Sequence, residues 1–237
     1  MILKTKPVVG TLPPSVTGGE IVDRLDSLYP KIKTHLAHED PFQLLIATIL
    51  SAQCTDVQVN KVTPILFSHY PDVNSMSEAQ ITVLEKIIKP IGFFHVKSRR
   101  LKDISARIIR DFHGQVPDSM DKLLTLPGVG RKTANIVLSA GFGKIDGIAV
   151  DTHVFRLSHR IGLSAARSPE KVEEDLMRTT PKKLWPRLSM LLIFHGRRVC
   201  FARSPACSKC DVSEKCLYFK NILRKNAGDL TNELEHH

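Results

Sequence analysis

The chain has 237 residues, 42% hydrophobic and 24% charged, the balance of one large globular domain or two modest ones, which excludes a disordered or collagen-like chain. Its longest apolar stretch, Phe42 to Ala52, is shorter than the roughly 20 residues a membrane span needs, and no basic-then-apolar leader is present, so a soluble, cytoplasmic protein is expected. Thirty-four Lys and Arg against 24 Asp and Glu give a net charge of +10, the footprint expected of a polyanion binder.

In chain order, residues 1–19 carry three prolines and three glycines without periodicity and read as a flexible arm. Asp40-Pro41 offers an N-cap and a first-turn proline ahead of Phe42, Leu45, Ile46, Ile49 and Leu50 at helical spacing. Asp56 is placed to cap a helix carrying Val59, Val62, Ile65 and Leu66, and Ser77 with Gln80 makes a capping box before Ile81, Leu84, Ile87 and Ile88. Pro90 stops that run, and Phe94 to His113 forms the next helix, closed by Gly114. Asp118 opens a short helix through Leu126, and another begins over Lys132 to Ala140. Asp151 caps a helix to Arg160, Ser168-Pro169 one to Met177, and residues 182–198 make the last long one. No segment alternates as a strand would, so the fold class is all-α. The final four residues, 234–237, read as the remnant of an expression tag.

The charge is unevenly spread. Residues 178–225 hold twelve Lys or Arg and two acids, and a second basic cluster comprises Lys97, Arg99, Arg100, Lys102, Arg107 and Arg110. Two such clusters favour nucleic acid over a merely solvated surface, without specifying sequence or chemistry.

Cys200, Cys207, Cys210 and Cys216 follow a Cys-x6-Cys-x2-Cys-x5-Cys spacing, while Cys54 stands alone. Disulfides do not suit a chain without secretion features. Structural zinc usually takes two close cysteine pairs, and this segment has one. An iron–sulfur cluster also uses four thiolates, tolerates uneven loops and is the preferred reading. Arg197, Arg198, Arg203, Lys209 and Lys215 surround the cysteines, available to compensate cluster charge, contact phosphates, or both. Cys54 reads as a small buried hydrophobe.

Between two helical runs, Leu126-Pro-Gly-Val-Gly130 forms a tight turn whose glycines permit positive φ and expose backbone amides at the next helix start. Lys132 falls in that first helical turn, where the macrodipole disfavours an ammonium. An unprotonated lysine is a nucleophile that can form a Schiff base with a carbonyl carbon. Asp151 follows nineteen residues later, next to the apolar Ile148-Ala149-Val150, and reads first as an N-cap.

Taken together, Leu126-Pro-Gly-Val-Gly-Arg-Lys-Thr-Ala-Asn135, Ala149-Val-Asp-Thr-His-Val-Phe-Arg156 and the four-cysteine run resemble the bacterial endonuclease III family, DNA glycosylases with a helix-hairpin-helix, a Gly/Pro-rich loop and a catalytic aspartate. Leu50-Ser-Ala-Gln-Cys-Thr-Asp56 and Ile91-Gly-Phe-Phe94 fit the same pattern, so the likeness runs over roughly residues 20–220. The resemblance implies a six-helix barrel domain over residues 35–145, with the helix-hairpin-helix near 118–140, inserted into a discontinuous cluster domain of residues 20–34 and 146–225. The active site would be the cleft between them. It further implies a [4Fe-4S] cluster on Cys200, Cys207, Cys210 and Cys216, and a monomeric protein acting on double-stranded DNA with damaged bases or abasic sites.

In that reading Lys132 and Asp151 are catalytic. Gln53 fills the space left by an extruded nucleotide, and Phe93 stands where the family carries a bulky wedge, commonly leucine. Cys54 replaces what is usually a small residue. Gly128 and Gly130 hold a phosphate through their amides, and Arg131, Arg203 and Lys209 complete the expected DNA contacts. The implied activity is removal of oxidised or ring-saturated pyrimidines through a lysine Schiff base, followed by β-elimination on the 3′ side. A monofunctional adenine or mismatch glycosylase would typically lack the lysine, and a non-enzymatic hairpin module with structural zinc would leave Lys132 and Asp151 without a purpose. A metal-dependent nuclease would need a carboxylate or histidine cluster that is not evident.

Overall fold

The computed structural model describes residues 16–32 and 36–223. The first fifteen residues of the expected arm and the expected tag remnant lie outside these. Among the described residues all regular elements are helical: α1 (Gly18–Leu28), α2 (Pro41–Leu50), α3 (Asp56–His69), α4 (Val73–Glu78), α5 (Ile81–Ile88), α6 (Phe94–Phe112), α7 (Met120–Leu124), α8 (Arg131–Ile136), α9 (Thr152–Ile161), α10 (Pro169–Thr179) and α11 (Trp185–Arg198). None is long and apolar enough to cross a membrane.

Most helix boundaries follow local chemistry. Asp40 accepts from the Gln43 amide at 2.8 Å with Pro41 in the first turn of α2, and Ser168 accepts from the Lys171 amide ahead of α10. Both caps were legible as sequence. Four local expectations are corrected. The arm ends earlier than residue 19, because Thr17 and Glu20 form a reciprocal capping box that starts α1 at Gly18. Gly18 is there for close approach: a Cβ at this position would lie 1.9 Å from Thr180 Oγ1. Thr55, not Asp56, caps α3. Ser77 belongs to the unforeseen α4, which Asp72 caps, so no Ser77–Gln80 box exists. Asp118 is paired with Lys144, and Ser119 stands at the N-cap of α7.

Two separate apolar cores form. The first draws on Leu36 and on α2 to α8, with Leu45, Ile46, Leu50, Leu66, Leu84, Leu101 and Ile104 fully enclosed. The second joins α1 to α9, α10 and α11 through Ile21, Leu25, Leu157, Leu176, Leu188 and Leu191. Chain segments far apart in sequence thus share one core, because each of these amphipathic helices has a single apolar face and can bury it only against the others. Past α8 the backbone widens into a π-helical turn, Val137–Gly141, where Gly141 presses on Pro41 and Leu44 of α2. Such widened turns often accompany functional sites, and Ser139 and Ala140 of this one face the cavity between the cores.

Candidate active site and cysteine centre

That cavity measures about 460 Å³. Lys132, Asn135 and Ile136 of α8 line it from the first core, and Asp151, Ser189, Met190 and Ile193 from the second. Lys132 and Asp151 therefore open into the same space, from opposite sides of the cleft.

Each is set there by its local fold. Val129 is buried in the first core and anchors the Leu126–Gly130 turn. Gly128 adopts φ 75°, which calls for glycine, and the Arg100 guanidinium lies where a Cβ would be, 2.5 Å from it. Gly130 is the N-cap of α8 with no side-chain bond and open space around it. The first amides of α8 thus have no side-chain cap within the protein. Arg100, placed under the turn by α6, was legible only as one cation of a cluster. Lys132 has neither a hydrogen bond nor an ion pair among the described residues, which leaves its amine to the cavity.

Asp151 is the N-cap of α9. The amides of His153 and Val154 both donate to its Oδ1, each at 2.8 Å. One oxygen thus caps the helix while Oδ2 is left for the cavity. Burial pushes the neighbouring His153 imidazole below its ordinary pKa, against the pull of Asp151, so at neutral pH the ring adds no positive charge beside the carboxylate.

Gln53 and Phe93 occupy two adjoining loops, and both take left-handed backbone, at φ 55° and 59°. A Cβ on Gly92 would come within 3.7 Å of the Gln53 carbonyl. A left-handed conformation costs a non-glycine residue on the order of 1 kcal/mol or more and is tolerated where the surroundings impose it. Lys97 braces the first of the two loops. Its buried ammonium donates to the carbonyl oxygens of Leu50 and Ala52 at 2.8 and 2.6 Å, fastening the end of α2 and the start of the Gln53 loop. Gln53 is exposed, and Phe93 presents 64% of its surface. Cys54 packs partly against the first core, as a small hydrophobe would.

The four C-terminal cysteines line one small void together with Arg160, Tyr218 and Phe219. Burial and the nearness of the other thiols push Cys207 up and Cys210 up to about 11. Sequence reasoning sought their cationic neighbours in the wrong place. Arg197 pairs with Asp56, Arg198 lies over the Phe194 ring, and Lys215 pairs with Glu20. The cations that reach the cysteine loop come from α9. Arg160 donates to Cys200 Sγ at 3.3 Å and to the carbonyls of Phe201 and Ala202, and Arg156 donates to the Cys200 carbonyl at 2.9 Å. Their sequence signal was the four-residue spacing of arginines on one helix face. Arg203 and Lys209 are exposed, with side chains free of hydrogen bonds and ion pairs among the described residues.

Arg131 departs from expectation. Its guanidinium faces inward across the cleft, with Nε and Nη2 on the two carboxylate oxygens of Glu173 at 2.7 and 3.1 Å. The two-toothed Nε/Nη2 edge of the guanidinium is thus committed to a buried carboxylate rather than turned to a phosphate.

Comparison with known proteins places most of the chain. Residues 46–182 match the HhH-GPD superfamily base excision DNA repair protein model. An endonuclease III from Synechocystis sp. is 48% identical over 197 residues, covering 83% of this chain and 90% of that protein. Among solved structures, a non-covalent endonuclease III–DNA complex superimposes with a TM-score of 0.81 at 41% identity, covering 86% of this chain and 96% of the other. A trapped endonuclease III–DNA covalent intermediate, described as an estranged-adenine complex, gives 0.82 at 40% identity over 88% and 99%. The chain belongs to the endonuclease III family of HhH-GPD base excision DNA repair proteins.

Proposed function

We propose that the protein is a bifunctional DNA glycosylase and abasic-site lyase of base excision repair, acting on oxidised or ring-saturated pyrimidines in duplex DNA. The observation that carries the reading is the shared cavity: an unpaired amine and a carboxylate with one uncommitted oxygen enter it from opposite cores. Within the duplex the sugar carbon is inaccessible, so the nucleotide has to be extruded into such a pocket. The two cores are read as the two domains whose cleft receives it.

Lys132 attacks as the free amine; the negative charge of Asp151 stabilises the cationic sugar as the N-glycosidic bond weakens, and the carboxylate then accepts the proton that the lysine nitrogen gives up once it has bonded to the sugar. The Lys132 Nζ lone pair forms a bond to the anomeric carbon, and the base departs with the bonding electrons and is then protonated. Opening of the sugar ring gives an iminium between lysine and deoxyribose. Loss of a proton from the adjacent carbon expels the 3′ phosphate and cleaves the strand.

Gln53 and Phe93, standing proud on adjoining loops, are the groups that enter the stack. The amides of Gly128 and Gly130 hold a phosphate, and Arg203 and Lys209 add backbone contacts. Arg131 is omitted from this set, because Glu173 engages its guanidinium.

For the cysteines we infer a [4Fe-4S] cluster. Four buried or half-buried thiols share one void; burial first, and the neighbouring thiols after it, disfavour the thiolates of Cys207 and Cys210, and a cationic centre would offset both. Cys200, Cys207, Cys210 and Cys216 would hold the cluster; when bound it supplies a rigid cross-link for the loop that carries Arg203 and Lys209, and no bond-breaking. Purified protein should be yellow-brown with about four irons per chain; colourless, zinc-loaded and fully active protein would reject the cluster.

The test of the activity is a panel of duplexes carrying different damaged pyrimidines or an abasic site, with borohydride added during reaction. A covalent protein–DNA adduct and a 3′-side break are expected together. Base release without any adduct would make the enzyme monofunctional.

A further inference from the structure

One buried acid holds Arg131 and Asn135, residues before and after Lys132 on α8. Glu173 is 3% exposed, on α10, where its neighbours Val172 and Leu176 belong to the second core. Its carboxylate reaches across the cleft to α8. One oxygen takes Arg131 Nε at 2.7 Å, and the other takes Arg131 Nη2 at 3.1 Å and Asn135 Nδ2 at 2.7 Å. Arg131 directly precedes Lys132, and Asn135 is the next residue but two on the same short helix. The connection between the cores closes over the same group: a Cβ on Gly147 would lie 2.0 Å from Glu173 Oε1 and 2.8 Å from Asn135 Oδ1.

A well-packed apolar residue would hold two cores together at least as firmly as a buried ion pair does. What three directional bonds add is the rotation of α8 about its axis and its height along the cleft. Those two coordinates decide where the Lys132 amine points. Asp151 belongs to the same core as Glu173, through the buried Val154 and Leu157 of its helix. The carboxylate therefore registers one reacting partner against the frame that carries the other. We infer that Glu173 is a positioning residue for the reaction, clamping α8 through Arg131 and Asn135 so that Lys132 meets the sugar opposite Asp151. This rests on the lysine chemistry proposed above.

The experiment compares wild type, Glu173→Gln and, as a control, Glu174→Gln, whose parent carboxylate makes only an exposed pair with Lys171 on the same helix. A duplex with a preformed abasic site is used, so no base-recognition step intervenes. Borohydride-trapping rates are measured in single turnover at saturating enzyme, alongside duplex Kd and denaturation midpoint. Glu173→Gln keeps the shape but loses the charge that grips the guanidinium. The trapping rate at saturation should fall on the order of tenfold or more, as small displacements of reacting groups do, with Kd changed only a few-fold and Glu174→Gln matching wild type. If Glu173→Gln is folded and traps at the wild-type saturating rate, the clamp is structural only and the inference falls. If that variant does not fold, Arg131→Lys, which keeps the charge without the two-toothed grip, faces the same two outcomes. Absence of an adduct with wild type would instead overturn the lysine reading, and this inference with it.

Discussion

Lys132→Gln should yield no borohydride-trapped adduct and should lower strand cleavage at an abasic site on the order of a thousandfold or more, the usual cost of removing a nucleophile. Duplex affinity should stay within a few-fold. The substitution removes the only atom proposed to bond with the sugar and little else, because the lysine side chain has neither a hydrogen bond nor an ion pair among the described residues. The turn before it is fixed independently by buried Val129 and by Gly128 over Arg100. Glutamine is a good helix former, so α8 should persist. Adduct yield, cleavage rate and Kd measured on one abasic duplex check this. A collapse in affinity would make Lys132 a phosphate contact and remove it from the chemistry.

Asp151 has two functions on its two oxygens, and two substitutions separate them. Asp151→Asn retains an acceptor for the His153 and Val154 amides, and asparagine caps helices about as well as aspartate. Stability should barely change, while single-turnover base release should fall roughly a hundredfold or more, because the group that takes the lysine proton and stabilises the cationic sugar has become neutral. Asp151→Ala removes the cap as well and should cost about 1 kcal/mol of folding stability in addition. Denaturant unfolding and single-turnover rates on both variants supply the comparison. Equal turnover for wild type and Asp151→Asn would leave Asp151 as a helix cap alone.

Arginine shows how far a sequence motif carries. Arg131 sits inside the motif that marks the family, next to the proposed nucleophile, and that adjacency made it a phosphate ligand on paper. Its partner is 42 residues away on another helix. Glu173 itself carried a faint signal, being an acid three residues from Leu176 on a face that is otherwise apolar. Arg156 and Arg160, given no role by the sequence beyond the end of a motif and of a helix, are cations at the cysteine loop. The cations nearest to the cysteines in sequence mostly face elsewhere.

By itself the sequence determined the helical class and most helix starts, and it singled out the four cysteines and the candidate pair Lys132 and Asp151. Each of these is written within a few residues: a cap is a side chain bonding an amide two or three positions on, and a turn is a pair of glycines. The tertiary structure alone decided that Gly18 lies inside the fold, that Glu173 grips both flanks of Lys132, and that the amine and the carboxylate share one cavity. Those outcomes depend on which apolar faces bury together between helices separated in the chain, and the burial of one helix against another is not encoded in either helix alone.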